Sequence, residues 1–352
     1  MNRDLLVVGG GLVGLSTALA AAARGLRVRI FAPSMPGESS RIGAGMLAPS
    51  VERASGAAHT FAIAGRDFYA PFLDRLEAAT GRRVPMNDGG IFEVAADDAE
   101  ASRRSADLPV GARWLDAATM RDAAPGLDAP FGAVWHPHDR AVDPGVLMDA
   151  LDTAAHADSR IGWVAAPAAS LTPKGVKLAD GLEFHAPAVV IASGAWATQL
   201  AGLPRPIPVR PLRGQMLEYR GTPTRHVAYG AGGYVVPRSN GTTYIGATMD
   251  DVGFDSGITP SGRSMLEGVA RRLIPGLADQ PVTKHAAGLR PVTPDLQPII
   301  GECVERPGLW YACGHSRNGF LLGPLTGEVV ADAIVGRPHG HDLRPFSISR
   351  FA

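Results

Sequence analysis

The stretch Asp4-Leu5-Leu6-Val7-Val8-Gly9-Gly10-Gly11-Leu12-Val13-Gly14, near the start of the chain, decides the fold. Residues 4–8 are largely β-prone and apolar and end abruptly at glycine, which predicts a short buried strand. An alanine-rich run at 15–24 that stops at Gly25 predicts a helix, and residues 27–31 predict a second strand. The glycines thus form G-x-G-x-x-G between a strand and a helix, the context that indicates dinucleotide binding.

Each glycine of this motif has its own task. Gly9 permits the tight turn, Gly11 lets the backbone approach a pyrophosphate, and Gly14 lets helix and strand pack closely. The pyrophosphate then faces the helix N-terminus, whose N–H groups and positive dipole end attract it. One position departs from the pattern. Ala32 stands where Asp or Glu normally accepts hydrogen bonds from the adenosine ribose, so Ser34 or water has to substitute.

Length and composition set the broad class. The 352 residues suit two domains, and 45% hydrophobic against 19% charged residues predict a large core. A formal net charge of zero argues against nucleic acid or an anionic membrane surface as the main partner. The apolar run at 5–23 has the hydropathy of a signal peptide or membrane span, but its glycines favour the nucleotide motif. We therefore expect a cytoplasmic protein without a membrane span.

Cysteine and histidine usage predicts no metal site. Cys303 and Cys313 are too few for a disulfide framework and lack metal-ligand spacing. The His136-Pro137-His138 and His339-Gly340-His341 stretches have no supporting carboxylate or cysteine spacing, so we interpret both as surface loops.

Two further segments favour FAD over NAD as the dinucleotide. Residues 38–47 follow the second strand and are small or hydroxylated, which suits a backbone that lies close against a ligand. Residues 189–196 form a buried strand that ends in small residues, and we expect this strand to pack beside the first one near the cofactor.

Motifs along nearly the whole chain then carry a resemblance. They are Ala44-Gly45-Met46-Leu47, Asn87-Asp88-Gly89-Gly90-Ile91-Phe92, Val142-Asp143-Pro144, Ala192-Ser193-Gly194-Ala195-Trp196, Arg213-Gly214-Gln215, Gly233-Tyr234-Val235-Val236-Pro237-Arg238, Gly246-Ala247-Thr248, Ala287-Gly288-Leu289-Arg290-Pro291, Gly314-His315-Ser316-Arg317-Asn318-Gly319 and Ser349-Arg350-Phe351. In this order and spacing they resemble the D-amino-acid oxidase-like FAD-dependent oxidoreductases, most closely the glycine oxidases.

The resemblance implies an α/β fold with two interleaved domains. A Rossmann-type, glutathione-reductase-like FAD domain would take residues 1–80, 143–205 and 285–352. An α+β substrate domain on a mixed or antiparallel sheet would take 81–142 and 206–284. Some elements are predicted from the sequence independently of the resemblance. Two β-prone runs joined through Ser239-Asn240-Gly241 predict a hairpin, and the spacing of apolar residues predicts helices at 57–81 and 320–334.

The resemblance also implies an activity. FAD, held non-covalently, would accept hydride at N5 from Cα of glycine or of a small D-amino or N-methyl amino acid. Oxygen would be the final acceptor, the products would be an imino or 2-oxo acid and hydrogen peroxide, and a link to thiamin thiazole synthesis would follow. The oligomeric state stays open, with a homo-oligomer among the alternatives.

Three residues are implied as catalytic. Arginine binds a carboxylate in bidentate fashion, and Arg290 matches the family's carboxylate-binding arginine. Tyr234 matches the tyrosine that hydrogen-bonds the same carboxylate, and Arg317 matches a second arginine near the flavin. Met46 and Gly232 would line the substrate pocket. A histidine can occupy the place of Gly232 in glycine oxidase, so this wall would be wider here.

The predicted cofactor-binding residues come from the glycine motif, the segments after the two strands and the loop before the last helix. For His315 in that loop we prefer a structural role to that of a base. The full set is Gly9, Gly11, Leu12, Val13, Gly14, Ser34, Ser39, Ser40, Ala44, Gly45, Met46, Ala168, Ala192, Ser193, Gly194, Trp196, Gly314, His315, Ser316, Arg317, Asn318 and Gly319.

Two alternatives remain open from the sequence. A D-amino-acid dehydrogenase would share the fold but pass electrons to a quinone or carrier. A non-catalytic flavin-binding protein would explain Ala32, although Arg290 and Tyr234 argue against a decayed site.

Overall fold

The computed structural model describes residues 4–351. The α-helices in this range are Leu12–Ala23 (α1), Pro49–Glu52 (α2), Gly56–Thr80 (α3), Asp98–Ala106 (α4), Ala117–Ala123 (α5), Pro144–Ala157 (α6), Pro260–Leu273 (α7) and Gly319–Ile334 (α8). Short 3₁₀ helices lie at Gly194–Gln199, Pro275–Leu277, Arg344–Phe346 and Ile348–Phe351.

The strands of the same range are Leu5–Val8 (β1), Val28–Phe31 (β2), Met46–Leu47 (β3), Met86–Asn87 (β4), Ile91–Val94 (β5), Arg113–Leu115 (β6), Ala133–His136 (β7), Arg140–Val142 (β8), Ile161–Val164 (β9), Ala168–Thr172 (β10), Gly175–Leu178 (β11), Glu183–His185 (β12), Ala188–Ile191 (β13), Arg210–Arg220 (β14), Val227–Gly230 (β15), Gly233–Pro237 (β16), Thr242–Gly246 (β17), Val282–Val292 (β18), Ile299–Glu302 (β19) and Leu309–Cys313 (β20).

A six-stranded sheet with the order β19-β20-β13-β1-β2-β9 carries the glycine motif. All its pairs are parallel except β19 with β20. Strand β1 is buried throughout because its side chains alternate between two cores. Leu5 and Val7 pack with α1, α3, α6 and α8 on one face. Leu6 and Val8 pack with the three-stranded sheet β10-β11-β12 on the other, so this part of the chain is a three-layer, Rossmann-type unit.

A second sheet of eight strands has the order β18-β14-β17-β16-β15-β5-β7-β6. It is antiparallel except where β15 runs parallel to β5. Helix α7 packs on one face through Leu266, Val269 and Leu273. The predicted hairpin is confirmed as β16 and β17. Strands β3, β8 and β4 form a small separate sheet, in the order β3-β8-β4, whose strands do not pair with either large sheet.

The mixed α/β architecture is therefore confirmed, whereas the exact domain division stays a prediction. Its boundary at residue 285 falls inside β18, which pairs with β14 along the larger sheet. The first helix begins at Leu12 rather than at residue 15, because Leu15 N already donates to the carbonyl oxygen of Gly11 at 2.9 Å. No helix within residues 4–351 is long and apolar enough to cross a membrane.

Candidate active site

A cavity of about 860 Å³ lies where the two large sheets meet. Its walls include Val8 and Phe31, at the carboxyl ends of β1 and β2, and Tyr234 and Arg290 from the eight-stranded sheet. The carboxyl ends of parallel strands are where open α/β sheets bind ligands. The cavity therefore joins the nucleotide motif to the predicted substrate residues.

The geometry of the glycine turn explains why side chains are excluded from it. Gly9 has a φ of +119°, and a Cβ there would lie 2.3 Å from the carbonyl oxygen of Ala192. A Cβ on Gly14 would lie 1.9 Å from the carbonyl oxygen of Gly9. The Oγ of Ser40 accepts a hydrogen bond from Leu12 N at 3.1 Å, at the start of α1. The turn, the strand end and the helix start are thus in backbone contact.

This cradle fits a dinucleotide. The predicted cofactor residues all line the cavity except Gly14, which lies beneath the turn. The start of α1 lines one part of the wall, and the loop 314–319 that leads into α8 lines another. Ala32 also lies on the wall, and its methyl group packs against Gly10. A Cβ added to Gly10 would lie 2.4 Å from this methyl group. The adenosine ribose would therefore find no carboxylate at position 32.

Arg290 and Tyr234 lie on a floor made of glycine. A Cβ on Gly214 would come within 2.3 Å of the Arg290 guanidinium, and a Cβ on Gly246 within 2.3 Å of the Tyr234 hydroxyl. Arg290 Nη1 donates to the carbonyl oxygen of Thr248 at 3.1 Å. Within residues 4–351 no carboxylate lies within 4.0 Å of the Arg290 guanidinium, so its charge is available to an anionic ligand.

Tyr234 lies beside this arginine as a neutral donor. Burial raises the pKa of its phenol, although the charges of Arg290 and Arg238 and a hydrogen bond with Arg290 act in the opposite direction. The hydroxyl group therefore keeps its proton at neutral pH and can donate to a carboxylate.

Arg317 lines the same cavity with a different partner. Its Nε donates to Glu52 Oε2 at 2.6 Å, and its side chain is 42% exposed. It also interacts with the Tyr229 hydroxyl. Met46 and Gly232 both reach the cavity wall, and a side chain on Gly232 would meet open space. The structure thus brings all five predicted catalytic and pocket residues to one cavity.

His315 and Cys313 line the cavity without being reactive. His315 Nε2 lies 3.0 Å from Thr326 Oγ1, and burial lowers the pKa of the imidazole to about 4. Burial also raises the pKa of the Cys313 thiol to about 12. The histidine is therefore neutral and hydrogen-bonded at physiological pH, and the cysteine is a protonated thiol rather than a nucleophile.

The comparisons with known proteins agree with this geometry. The sequence model described as DAO, FAD dependent oxidoreductase, matches residues 4–333. The chain belongs to this family. The prediction of FAD as the cofactor is thereby confirmed at the level of the family.

Individual relatives include glycine oxidases and a bifunctional protein. A glycine oxidase of Pseudomonas putida is 31% identical over 99% of this chain and 98% of its own length. The crystal structure of glycine oxidase from Geobacillus kaustophilus superposes with a TM-score of 0.92 at 31% identity and covers 99% of both chains. The bifunctional protein ThiO/ThiG of Nostoc sp. is 33% identical over 99% of this chain, which spans only 55% of the length of that relative.

Sequence reasoning missed several residues of this DAO-family site. Gly214 and Gly246 lie in segments that it singled out, but nothing local marks them as a floor. Glu52 and Tyr229 gave no signal, because their partner Arg317 is far away in sequence. Long-range contacts of this kind have no periodicity to detect.

Arg238 is a further residue that was missed. Its side chain is buried, with Nη1 donating to the carbonyl oxygen of Val142 and Nη2 to that of Ala44, both at 2.8 Å. Its guanidinium lies 4.7 Å above the ring of Tyr244. Arg238 thus fastens the cofactor-lining segment 43–46 to the end of β16, the strand that carries Tyr234.

Proposed function

We propose that this protein is an FAD-dependent amino-acid oxidase that acts on glycine and small D-amino or N-methyl amino acids. The observation that carries the proposal is Arg290, a cavity guanidinium with no carboxylate partner within residues 4–351 and a neutral tyrosine beside it. A planar guanidinium next to a hydroxyl donor suits the carboxylate of an amino acid.

The residues of the chain bind and orient the substrate. Arg290 and Tyr234 hold the carboxylate and so fix the direction of the Cα–H bond. FAD, when bound, supplies the acceptor for the hydride. No general base is required from His315, because a neutral amine lets the hydride leave without one. Overall, the amino acid loses two electrons and two protons, and oxygen takes both to form hydrogen peroxide. The imino acid then hydrolyses to a 2-oxo acid and ammonia or an amine.

The shape of the cavity supports substrates somewhat larger than glycine. Gly232 and Gly233 leave one wall without side chains, and a Cβ on Gly232 would have no heavy atom within 4 Å. D-Alanine, sarcosine and D-proline are therefore included in the proposal. We also infer a role in thiamin thiazole synthesis, supported by the relative in which ThiO and ThiG share one name and one chain.

The test is an anaerobic titration of the FAD-loaded protein. Glycine, sarcosine, D-alanine and D-proline are added separately while the visible flavin spectrum is recorded. Acetate is the matched control, because it has the carboxylate but no amine. We expect at least one amino acid to bleach the flavin and acetate to bind in competition without bleaching. A flavin that no amino acid bleaches would contradict the proposed substrate class.

Readmission of air then identifies the electron acceptor. Rapid recolouring with formation of hydrogen peroxide supports an oxidase. Slow recolouring, together with rapid reduction of a quinone or dye, would instead support a D-amino-acid dehydrogenase.

A further inference from the structure

We infer that Asp139 is a positioning residue for the substrate cavity, acting through helix α2 and the Glu52–Arg317 ion pair. The inference rests on the proposed function, because Arg317 matters only if the cavity binds an amino acid. Asp139 itself does not line this cavity and is fully buried.

Asp139 supplies the N-terminal cap that α2 lacks. The helix begins after Ala48, which has no side chain able to cap it. Asp139 Oδ1 accepts from Ser50 Oγ at 2.9 Å, and Asp139 Oδ2 accepts from Ser50 N at 3.2 Å and from Val51 N at 3.3 Å. A carboxylate 89 residues away in sequence from Ser50 therefore fixes the first turn of α2.

The other end of α2 reaches the cavity. Glu52 is its last residue and accepts from Arg317 Nε at 2.6 Å, and both residues line the cavity with Arg290. Arg53 follows in the left-handed region with a φ of +49° and pairs with the buried Glu93 at 3.3 Å. The helix is thus held from outside at both ends.

A helix this short cannot hold its own direction. Its four residues form one turn, and Glu52 N donates to the carbonyl oxygen of Ala48 at 3.2 Å. One turn fixes several backbone dihedrals for a single hydrogen bond, which is unfavourable in isolation. The orientation of Glu52, and through it that of Arg317, therefore depends on contacts from outside the helix, and Asp139 makes those at its first turn.

The substitution Asp139→Ala tests this chain of contacts in the FAD-loaded protein. Alanine removes both acceptor oxygens, so the backbone N–H groups of Ser50 and Val51 lose their hydrogen-bond partner. We expect Arg317 to lose its fixed position. The KM for the amino acid should rise about 5- to 20-fold while kcat changes less than 2-fold, equivalent to about 1–2 kcal/mol of substrate binding.

Three variants separate positioning from a general loss of structure. Asp97→Ala is the matched control, because Asp97 caps α4 by accepting from Glu100 N and does not line the cavity; KM should not change. Ser50→Ala removes only the hydroxyl contact and serves if Asp139→Ala fails to fold. In the background of Glu52→Ala, which removes the acceptor for Arg317 Nε, Asp139→Ala should add little to KM because the same path is already broken.

Two results would overturn the inference. One is an unchanged KM for Asp139→Ala, or fully additive effects with Glu52→Ala, although amino acids reduce the flavin of the wild type. The other is a crystal structure of Asp139→Ala in which the Glu52–Arg317 contact stays at 2.6 Å. This second readout needs no turnover. Failure of the proposed function, in which no amino acid reduces the wild-type flavin, is therefore a distinguishable outcome.

Discussion

Arg290 and Arg317 line one cavity but differ in their charge partners. Arg317 is neutralised by Glu52 at 2.6 Å, whereas Arg290 donates to the backbone carbonyl of Thr248 at 3.1 Å and has no carboxylate partner within residues 4–351. An incoming carboxylate therefore gains more from Arg290, because no existing ion pair has to be weakened. Both residues are arginines, so the presence or absence of a carboxylate partner is what distinguishes Arg317 from Arg290.

The substitution Arg290→Gln should remove this gain. We expect kcat/KM for the preferred amino acid to fall by 10²–10³-fold, about 3–4 kcal/mol, because a charge-assisted bidentate contact is lost. Arg210→Gln is the control, since Arg210 lies on the neighbouring strand β14 and is paired with Asp251 at the surface. Steady-state kinetics of both variants check the prediction, and a fall below 5-fold for Arg290→Gln would contradict it.

His315 makes the stability of the protein depend on pH. Burial lowers the pKa of its imidazole from 6.5 to about 4, so the unfolded chain takes up this proton at a higher pH than the folded one. The contribution of neutral His315 to the free energy of unfolding is complete above pH 6.5 and is lost as the pH falls towards 4. Between pH 7 and pH 5 the loss should be about 2 kcal/mol.

Chemical denaturation of the FAD-loaded protein at pH 7 and pH 5 measures this loss. His315→Gln should flatten the difference, because glutamine can still bond to Thr326 but does not titrate. His138→Gln, at an exposed histidine, should leave the difference unchanged. If the free energy of unfolding falls equally between pH 7 and pH 5 in the wild type and in His315→Gln, the pH dependence comes from other groups.

At the scale of elements, α1 and α8 approach closely through glycine. A Cβ on Gly327 of α8 would lie 2.6 Å from the backbone of Ser16 and Thr17 in α1, nearer than real Cβ atoms come. The first turns of both helices line the cavity. Their separation therefore determines how the cofactor-binding wall is shaped.

The substitution Gly327→Ala should force these helices apart. We expect a loss of about 2 kcal/mol or more in the free energy of unfolding, and weaker FAD binding. Gly268→Ala in α7 is the matched control, because nothing lies within 4 Å of its added Cβ. That change should stabilise the protein by about 0.5–1 kcal/mol. Urea denaturation and FAD titration measure the stability and the FAD affinity of the two variants. Equal changes in Gly327→Ala and Gly268→Ala would contradict this prediction.

Sequence reasoning succeeded where the signal was local. The glycine motif, the hairpin through Asn240-Gly241 and the apolar helix α8 each contain their own pattern within a few residues. It could not provide the order of the sheets or the two-residue strands β3 and β4, because pairing between distant segments leaves no period in the sequence. Asp139 was missed for the same reason, since its acceptor role is defined by Ser50.

The whole molecule is joined across its two large sheets by direct bonds. Leu289 N in β18 donates to the carbonyl oxygen of Gly37 at 2.8 Å, and Arg238 holds Ala44. The cavity takes its walls from both sheets. Bound FAD should therefore stabilise both parts of the chain together rather than one domain alone.

We expect one unfolding transition. FAD should raise the free energy of unfolding by about 2.7 kcal/mol when free FAD is 100 times its Kd. Tryptophan provides the measurement, because Trp310 lies in the six-stranded sheet and Trp135 in the eight-stranded one. Variants in which Trp310 or Trp135 is the single remaining tryptophan of the five should unfold at the same denaturant midpoint. Separate midpoints would mean that the sheets unfold independently.

The glycine floor beneath Arg290 and Tyr234 also decides how this site can be redesigned. Any residue other than glycine at 214 or 246 would displace the guanidinium or the phenol, so a design that relies on these two groups should keep both glycines. Gly232 faces open space, although its φ of +78° favours glycine, and Met46 and Met249 form adjustable parts of the wall. A mutant library aimed at new amino acids should therefore keep the floor constant and randomise Met46 and Met249, so that selection acts on pocket shape while carboxylate binding is inherited unchanged.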